Sequence, residues 1–228
     1  MKKYAIAVLV LMASICLLGQ AFATDYYVAT TGSDSNPGTL AEPWATLQHA
    51  VESIAPGDTI IVRQGTYVGC RINQAYSVSG TPENPCVLKA EEGASVVIDG
   101  PGPLNKQNSC IELEGIDGVE MTDWVIEGLE VTGGGYAGID VRVGRRHVLR
   151  NNYCHDNDSL GIFMAHVYYP TVEYNECSYN ASSHGIYLSN SGDYATVVGN
   201  FSQHNGKSGV QFNVDERYRP GDGVMSFD

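Results

Sequence analysis

The stretch Asn175-Glu176-Cys177-Ser178-Tyr179-Asn180-Ala181-Ser182-Ser183-His184-Gly185-Ile186-Tyr187-Leu188 decides the fold, because its landmarks recur one unit away on either side. Asn175 has counterparts in Asn152 and Asn200, and Asn180 has them in Asn157 and Asn205. Cys154, Cys177 and Ser202 share a third column. Gly followed by a β-branched residue marks each unit, at Gly138-Ile139, Gly161-Ile162, Gly185-Ile186 and Gly209-Val210, with spacings of 23, 24 and 24 residues. Within a unit, short strand-forming runs alternate with Gly, Asn, Asp and Ser turns, and no segment has the apolar spacing of a helix. Leucine-rich and ankyrin-type repeats need other spacings. Strands stacked at one coil per unit, rising about 4.8 Å each time, describe an all-β fold: a right-handed parallel β-helix solenoid. Asn then has a structural role, since it tolerates left-handed turns and its stacked side chains hydrogen-bond along the axis. The Cys column reads as a stack of small core residues.

The repeats are clear over residues 120–228, and an earlier unit, Val125-Ile126-Glu127-Gly128-Leu129-Glu130-Val131, fits the frame less well. Residues 24–65 have another character. Tyr26-Tyr27-Val28 reads as a short strand. Trp44, Leu47, Val51 and Ile54 follow at i, i+3, i+7 and i+10, one face of a helix ending at Pro56-Gly57. A short helix over the first coil would cap a core that otherwise lies open. The last residues, Gly223-Val224-Met225-Ser226-Phe227-Asp228, read as the start of another coil. The expectation is a C-terminally truncated member of its group, whose bare last coil would associate through strand edges.

Ahead of the solenoid, residues 1–23 read as a cleaved export signal. Lys2 and Lys3 precede an apolar stretch over 4–18, and Ala21-Phe22-Ala23 supplies the small-residue cleavage site. The apolar stretch is short for a membrane span. The expected product is a secreted β-helix domain over 24–228, periplasmic or extracellular. Losing two lysines takes its net charge from −13 to −15. That balance repels nucleic acid. Cys70, Cys86, Cys110, Cys154 and Cys177 lack C-x-x-C spacing, which argues against zinc. A Cys70–Cys86 disulfide and free buried thiols both stay open.

Thr31-Gly32-Ser33-Asp34-Ser35-Asn36-Pro37-Gly38-Thr39-Leu40, Pro43-Trp44-Ala45-Thr46-Leu47-Gln48 and Pro56-Gly57-Asp58-Thr59 resemble the N-terminal module of secreted bacterial β-helix proteins, among them pectate and alginate lyases. His184-Gly185-Ile186-Tyr187-Leu188-Ser189 with Gly199-Asn200-Phe201-Ser202 is similar to the carbohydrate-binding repeats of alginate C5-epimerases. The resemblance implies the pectin lyase fold and a polysaccharide ligand. Phe163-Met164-Ala165-His166 stands where the epimerase pattern has its Asp-Pro-His-Asp catalytic motif, and Asn190 stands where it has a charge-neutralising Arg. No clear match exists to the Lys-bearing strand or clustered calcium-binding aspartates of the family 9 lyases.

Alternate strand residues face opposite ways. With Ile139, Val141, Ile162, Met164, Ile186, Leu188, Val210 and Phe212 inward, the outward columns are Asp140, Phe163, Tyr187, Gln211 and Arg142, Ala165, Ser189, Asn213. Rings, amides, a carboxylate and a guanidinium on one face suit sugar binding, though an ordinary exposed sheet would show the same pattern. Arg142, Arg145, Arg146, His147 and Arg150 form a basic cluster that fits uronate carboxylates. The alternative is a turn whose arginines pair with Glu127, Glu130 and Asp156.

Eliminating or epimerising a uronide needs a base for the proton α to the carboxylate and a cation to neutralise that carboxylate. Arg142 fits the cation and His166 or His184 the base, with Lys207 a weaker candidate. Asp140, Phe163, Tyr187, Gln211, Asn213, Arg145 and Arg146 would bind substrate. Calcium is the one cofactor to consider, with Asp156, Asp158, Asp215 and Asp222 as loop carboxylates, although their spacing matches no specific calcium loop. The reading is a secreted β-helix that binds an acidic polysaccharide and cleaves or epimerises it. Two alternatives stand beside it: a non-catalytic carbohydrate-binding or adhesion module, and a glycoside hydrolase. The hydrolase would need two outward carboxylates about 5 to 9.5 Å apart, and the repeats display Asp140 alone.

Overall fold

The computed structural model describes residues 23–190 and 193–213. All but the last residue of the 1–23 leader reading, the final coil start at 223–228, Asp215 and Asp222 lie outside them. Three all-parallel sheets run the length of the solenoid. The first begins with Asp25–Val28 and Thr59–Val62 and ends with Thr171–Glu173 and Thr196–Val198. The second runs from Gly65–Tyr67 to Phe201–Gln203. Cys70–Asn73, Ile111–Glu114, Ala137–Arg145, Leu160–Tyr168, Ile186–Ser189 and Val210–Asn213 build the third, with Met121–Thr122 pairing alongside Ala137–Arg145. The chain therefore makes about six coils, visiting the sheets in turn.

Register explains the core. Ile111, Ile139, Ile162 and Ile186 stack in line, as do Leu113, Val141, Met164 and Leu188, and all eight are buried. Side chains repeating at the coil spacing remove a continuous apolar column from water, which an isolated coil could not do. Val210 is 39% exposed because it belongs to the last described coil.

Both Asn columns are ladders. Asn152 Nδ2 donates to Asn175 Oδ1 at 3.0 Å, and Asn175 repeats the bond to Asn200. Asn157, Asn180 and Asn205 form the second ladder at 2.9 and 2.8 Å. The five cysteines among the described residues are free and buried. No Cys70–Cys86 disulfide forms: Cys86 points into the core from the first sheet and Cys70 from the third. Burial pushes the thiols of Cys70 and Cys110 up to about 12 and that of Cys86 to about 11.

The capping helix is Leu47–Ser53, N-capped by Thr46, whose hydroxyl accepts the His49 amide at 3.2 Å. Leu47, Ala50 and Val51 cover the first coil. Trp44 stands before the helix rather than on its face. It bridges to Val28, stacks on Tyr26 at 4.6 Å and donates its indole N–H to the Asn36 carbonyl. Gln48 takes the place of a neighbouring strand, accepting the Arg71 amide (2.8 Å) and donating to the Arg71 carbonyl (3.0 Å). One side chain thus satisfies the edge that a bare first strand would present. Among the described residues no helix is long and apolar enough to cross a membrane.

Candidate functional site

The outer face of the third sheet carries two columns set by its register. One passes through Arg71, Glu112, Asp140, Phe163, Tyr187 and Gln211, the other through Asn73, Glu114, Arg142, Ala165, Ser189 and Asn213. The first coils along this face are charged and the later ones are aromatic and amide-bearing.

In the charged half, Arg71 is buried between Glu112 (Nε–Oε2 3.3 Å) and Glu114. Glu112 also accepts the backbone amides of Lys106 (2.8 Å) and Gln107, so the 102–109 loop is fastened over it. Arg142 Nε donates to both oxygens of Asp140, at 2.9 and 3.1 Å. Asp140 is 2% exposed. Burial pushes its carboxyl up to about 6, against the pull of Arg142 and with help from Glu112 and Glu114.

Aromatic rings meet this pair directly. The Arg142 guanidinium lies 4.8 Å from the Phe163 ring centroid and 5.4 Å from that of Tyr136. Phe163 contacts Tyr136 and Tyr187 edge to face, at 5.5 and 5.4 Å. The His184 ring sits 5.1 Å from Tyr187. Its Nδ1 accepts the Ser208 amide at 3.2 Å, and burial and then Lys207 lower its pKa. The neutral ring therefore carries its proton on Nε2, which makes the other nitrogen a donor.

Asp140, Arg142, Phe163, Tyr187 and His184 thus come together, with Gln211 and Asn213 in register on the next coil. His166 sits one residue past Ala165 in a left-handed conformation (φ 55°), its amide bonded to the Asn190 carbonyl. Not all of the outward columns face solvent, as alternation alone implied. Asp140, Phe163, Ala165 and Ser189 are buried, because the 102–109 loop, Tyr136 and Tyr187 pack onto the sheet from outside.

The basic cluster is not one site. The chain turns a corner after Ala137–Arg145, so its members point to different surfaces. Arg145 pairs with Glu120 at 2.8 Å over the Tyr168 ring, Arg146 with Asp123 at 2.7 Å, and Arg150 with Glu127 at 2.9 Å. Glu130 and Asp156, the other expected partners, hold His155 instead. His147 is fully buried, its Nδ1 accepts the Trp124 amide at 3.2 Å, and burial lowers its pKa to about 4. It cannot bind a carboxylate.

Arg71, Glu112, Glu114 and Tyr136 escaped the repeat-based reading. Cys70-Arg71-Ile72-Asn73 and Ile111-Glu112-Leu113-Glu114 do show the in–out alternation, but long loops separate these coils and hide the common spacing. Asp140 is therefore not the face's lone carboxylate. Glu112 and Asp140, side by side in register, are both buried and held by arginines, which denies them to a substrate as a hydrolytic pair.

A calcium cage does not emerge from these donors. Among the described residues no group of three or more His, Cys, Asp or Glu side chains could hold a metal ion. Guanidiniums already occupy the carboxylates of this face.

Residues 26–214 match the family model described as the Pel9A-like right-handed β-helix region. The chain belongs to that family. The Pel9A-like chain is 36% identical over 141 residues to pectate lyase PEL9 of Emericella nidulans, an alignment covering 58% of this chain and 34% of that protein. It is 27% identical over 144 residues to pectate lyase L of Dickeya dadantii, covering 60% of this chain and 32% of the relative. It thus spans about a third of each. The crystal structure of pectate lyase Pel9A superposes with a TM-score of 0.70 at 24% identity, over 86% of this chain and 51% of that one. A rhamnogalacturonan lyase superposes at 0.59 and 16% identity, over 90% and 60%. At these identities the structural likeness establishes the fold.

Proposed function

We propose that this chain is exported, binds an acidic polysaccharide of the pectate type along the outer face of its third sheet, and removes the proton α to a uronate carboxylate with His166 or His184 as the base that takes it, leading to cleavage or epimerisation. The observation that carries this reading is the Arg142 guanidinium, held between Asp140 and the Phe163 and Tyr136 rings where the charged and aromatic halves meet. A carbanion α to a carboxylate forms only when that carboxylate is neutralised, and aromatic rings alongside hold sugar rings by their C–H faces. The names of the relatives, two of them pectate lyases, support an acidic polysaccharide as ligand class.

A second reading, the non-catalytic binding module, is favoured by one observation. His184 Nδ1 is occupied by the Ser208 amide, and Asp140 and Glu112 are buried and paired, so among the described residues neither that nitrogen nor those carboxylates is placed to take a proton.

Incubating the purified protein with polygalacturonate, alginate and a glycosaminoglycan, with calcium or with chelator, separates the readings. New ultraviolet absorbance from an unsaturated product marks elimination, and altered uronate signals in proton NMR mark epimerisation. Gel retardation without either supports the binding module. No retardation and no product on any polymer would defeat both.

A further inference from the structure

We infer that Arg142 is a receptor for a single uronate carboxylate that works without a divalent cation. The inference rests on the sheet-face reading above and deepens it. Arg142 is fixed from three sides: its Nε edge by Asp140, and its plane by the Phe163 and Tyr136 rings. Asp140 takes the Nε hydrogen and the Tyr136 hydroxyl also hydrogen-bonds the guanidinium, which leaves further terminal N–H groups for a ligand, and the side chain remains 26% exposed. A guanidinium held this way has already lost its rotamer freedom, which lowers the entropic cost of gripping a carboxylate through two parallel N–H groups.

The surroundings fit the same ligand. Beyond Arg142 its column continues through Ala165, Ser189 and Asn213, which are small or uncharged, so on that side of Arg142 the column sets no carboxylate against a polyuronide; Glu114 lies on the other side, in register with Arg142. Tyr187 walls this floor on one side. On the other side of Arg142, Glu112 and Glu114 share the buried Arg71, which offsets one of their two charges and occupies oxygens of both. A divalent ion would have to displace those guanidiniums to gain its oxygen ligands. The face is organised to meet an anion with a cation of its own.

Isothermal titration with trigalacturonate, in chelator and in calcium, tests this. The expected result is saturable binding in chelator, little altered by calcium, and weakened at least about tenfold in Arg142→Gln. Because that variant strands the buried Asp140, the double variant Asp140→Asn with Arg142→Gln removes charge and counter-charge together. It too should lose binding while keeping the wild-type circular dichroism spectrum. Binding seen only with calcium overturns the inference and leaves the proposed function standing. So does binding in chelator that the double variant retains. If the double variant is unfolded, Arg142→Lys decides: it keeps the charge, loses the planar fork and should bind several-fold more weakly, and unchanged binding overturns the inference. No binding under any condition overturns the proposed function itself.

Discussion

Asp140 and Arg142, two residues apart on one strand, divide their pair unequally: the carboxylate is buried and the guanidinium reaches the surface. Such a pair adds little stability, because desolvating the carboxylate offsets the attraction. It does orient the arginine. A buried acid behind a half-buried guanidinium is a geometry for holding a cation in place while leaving it available.

The same burial makes Asp140 a pH-sensitive group, and His147, five residues after Arg142, opposes it. Asp140 has a folded pKa raised from 3.8 to about 6, so the native state holds more protons than the unfolded chain in that window. Its contribution to stability is complete below the unfolded pKa and is lost as pH rises through about 6. His147 has a folded pKa lowered from 6.5 to about 4, so its contribution is complete above 6.5 and is lost as pH falls toward about 4. The groups facing Asp140 are Arg142 on its own strand, Glu112 and Glu114 on the preceding coil, and Tyr136 and Tyr187 beside Phe163. Wild type should show weak pH dependence of urea stability between pH about 4 and 6. Asp140→Asn should expose a rising slope and His147→Gln a falling one. Identical profiles in the two variants would refute both assignments.

The Asn ladder should be most sensitive at its middle. The Asn175 side chain accepts from the Asn152 amide and side chain and donates to the Leu149 carbonyl and Asn200, all in a buried setting. Asn175→Ala leaves buried groups unpaired and should cost about 3 kcal/mol in urea unfolding. Asn205 makes as many bonds near the end of the described coils but is half-buried. Water can replace its bonds, and Asn205→Ala should cost about 1 kcal/mol. Equal losses would contradict the ladder's dependence on burial.

Thiol reagents should leave the native protein alone. Cys70, Cys86, Cys110, Cys154 and Cys177 are buried, and burial raises the pKa values of Cys70, Cys86 and Cys110. At pH about 8 an alkylating reagent should label none of the five within minutes and all of them in denaturant, read by intact mass. Rapid labelling of the folded protein would mean that the core columns open.

How much of this was legible in the sequence follows from what repeats. Asn152, Asn175 and Asn200 sit at near-constant spacing because each must reach the next coil, so the solenoid and its later registers could be read directly. The first coils carry loops of unequal length, which broke the spacing and concealed Arg71, Glu112 and Glu114. Alternation told which side chains leave the core, yet not which are covered again. Phe163 and Asp140 point outward as expected and are buried by Tyr136, Tyr187 and the 102–109 loop, contacts that no repeat encodes. Sequence proximity misled at Arg142 to Arg150, where a corner sends neighbouring arginines to separate partners.

Phe163 and Tyr187 should affect ligand binding in different ways. Phe163 is buried beneath the guanidinium and acts as a positioning residue, so Phe163→Leu should weaken trigalacturonate binding by loosening Arg142. Tyr187 is half-buried on the face and would contact the sugar itself. Tyr187→Ala should weaken binding about tenfold through lost stacking, an uncharged interaction. Titrations at about 50 and about 300 mM NaCl separate the two, because salt screens the arginine–carboxylate attraction and leaves stacking untouched. Tyr187→Ala should keep the wild-type salt dependence, whereas Phe163→Leu should flatten it. If both variants flatten it equally, Tyr187 also works through Arg142, and the aromatic half is a support for the cation rather than a surface for the sugar.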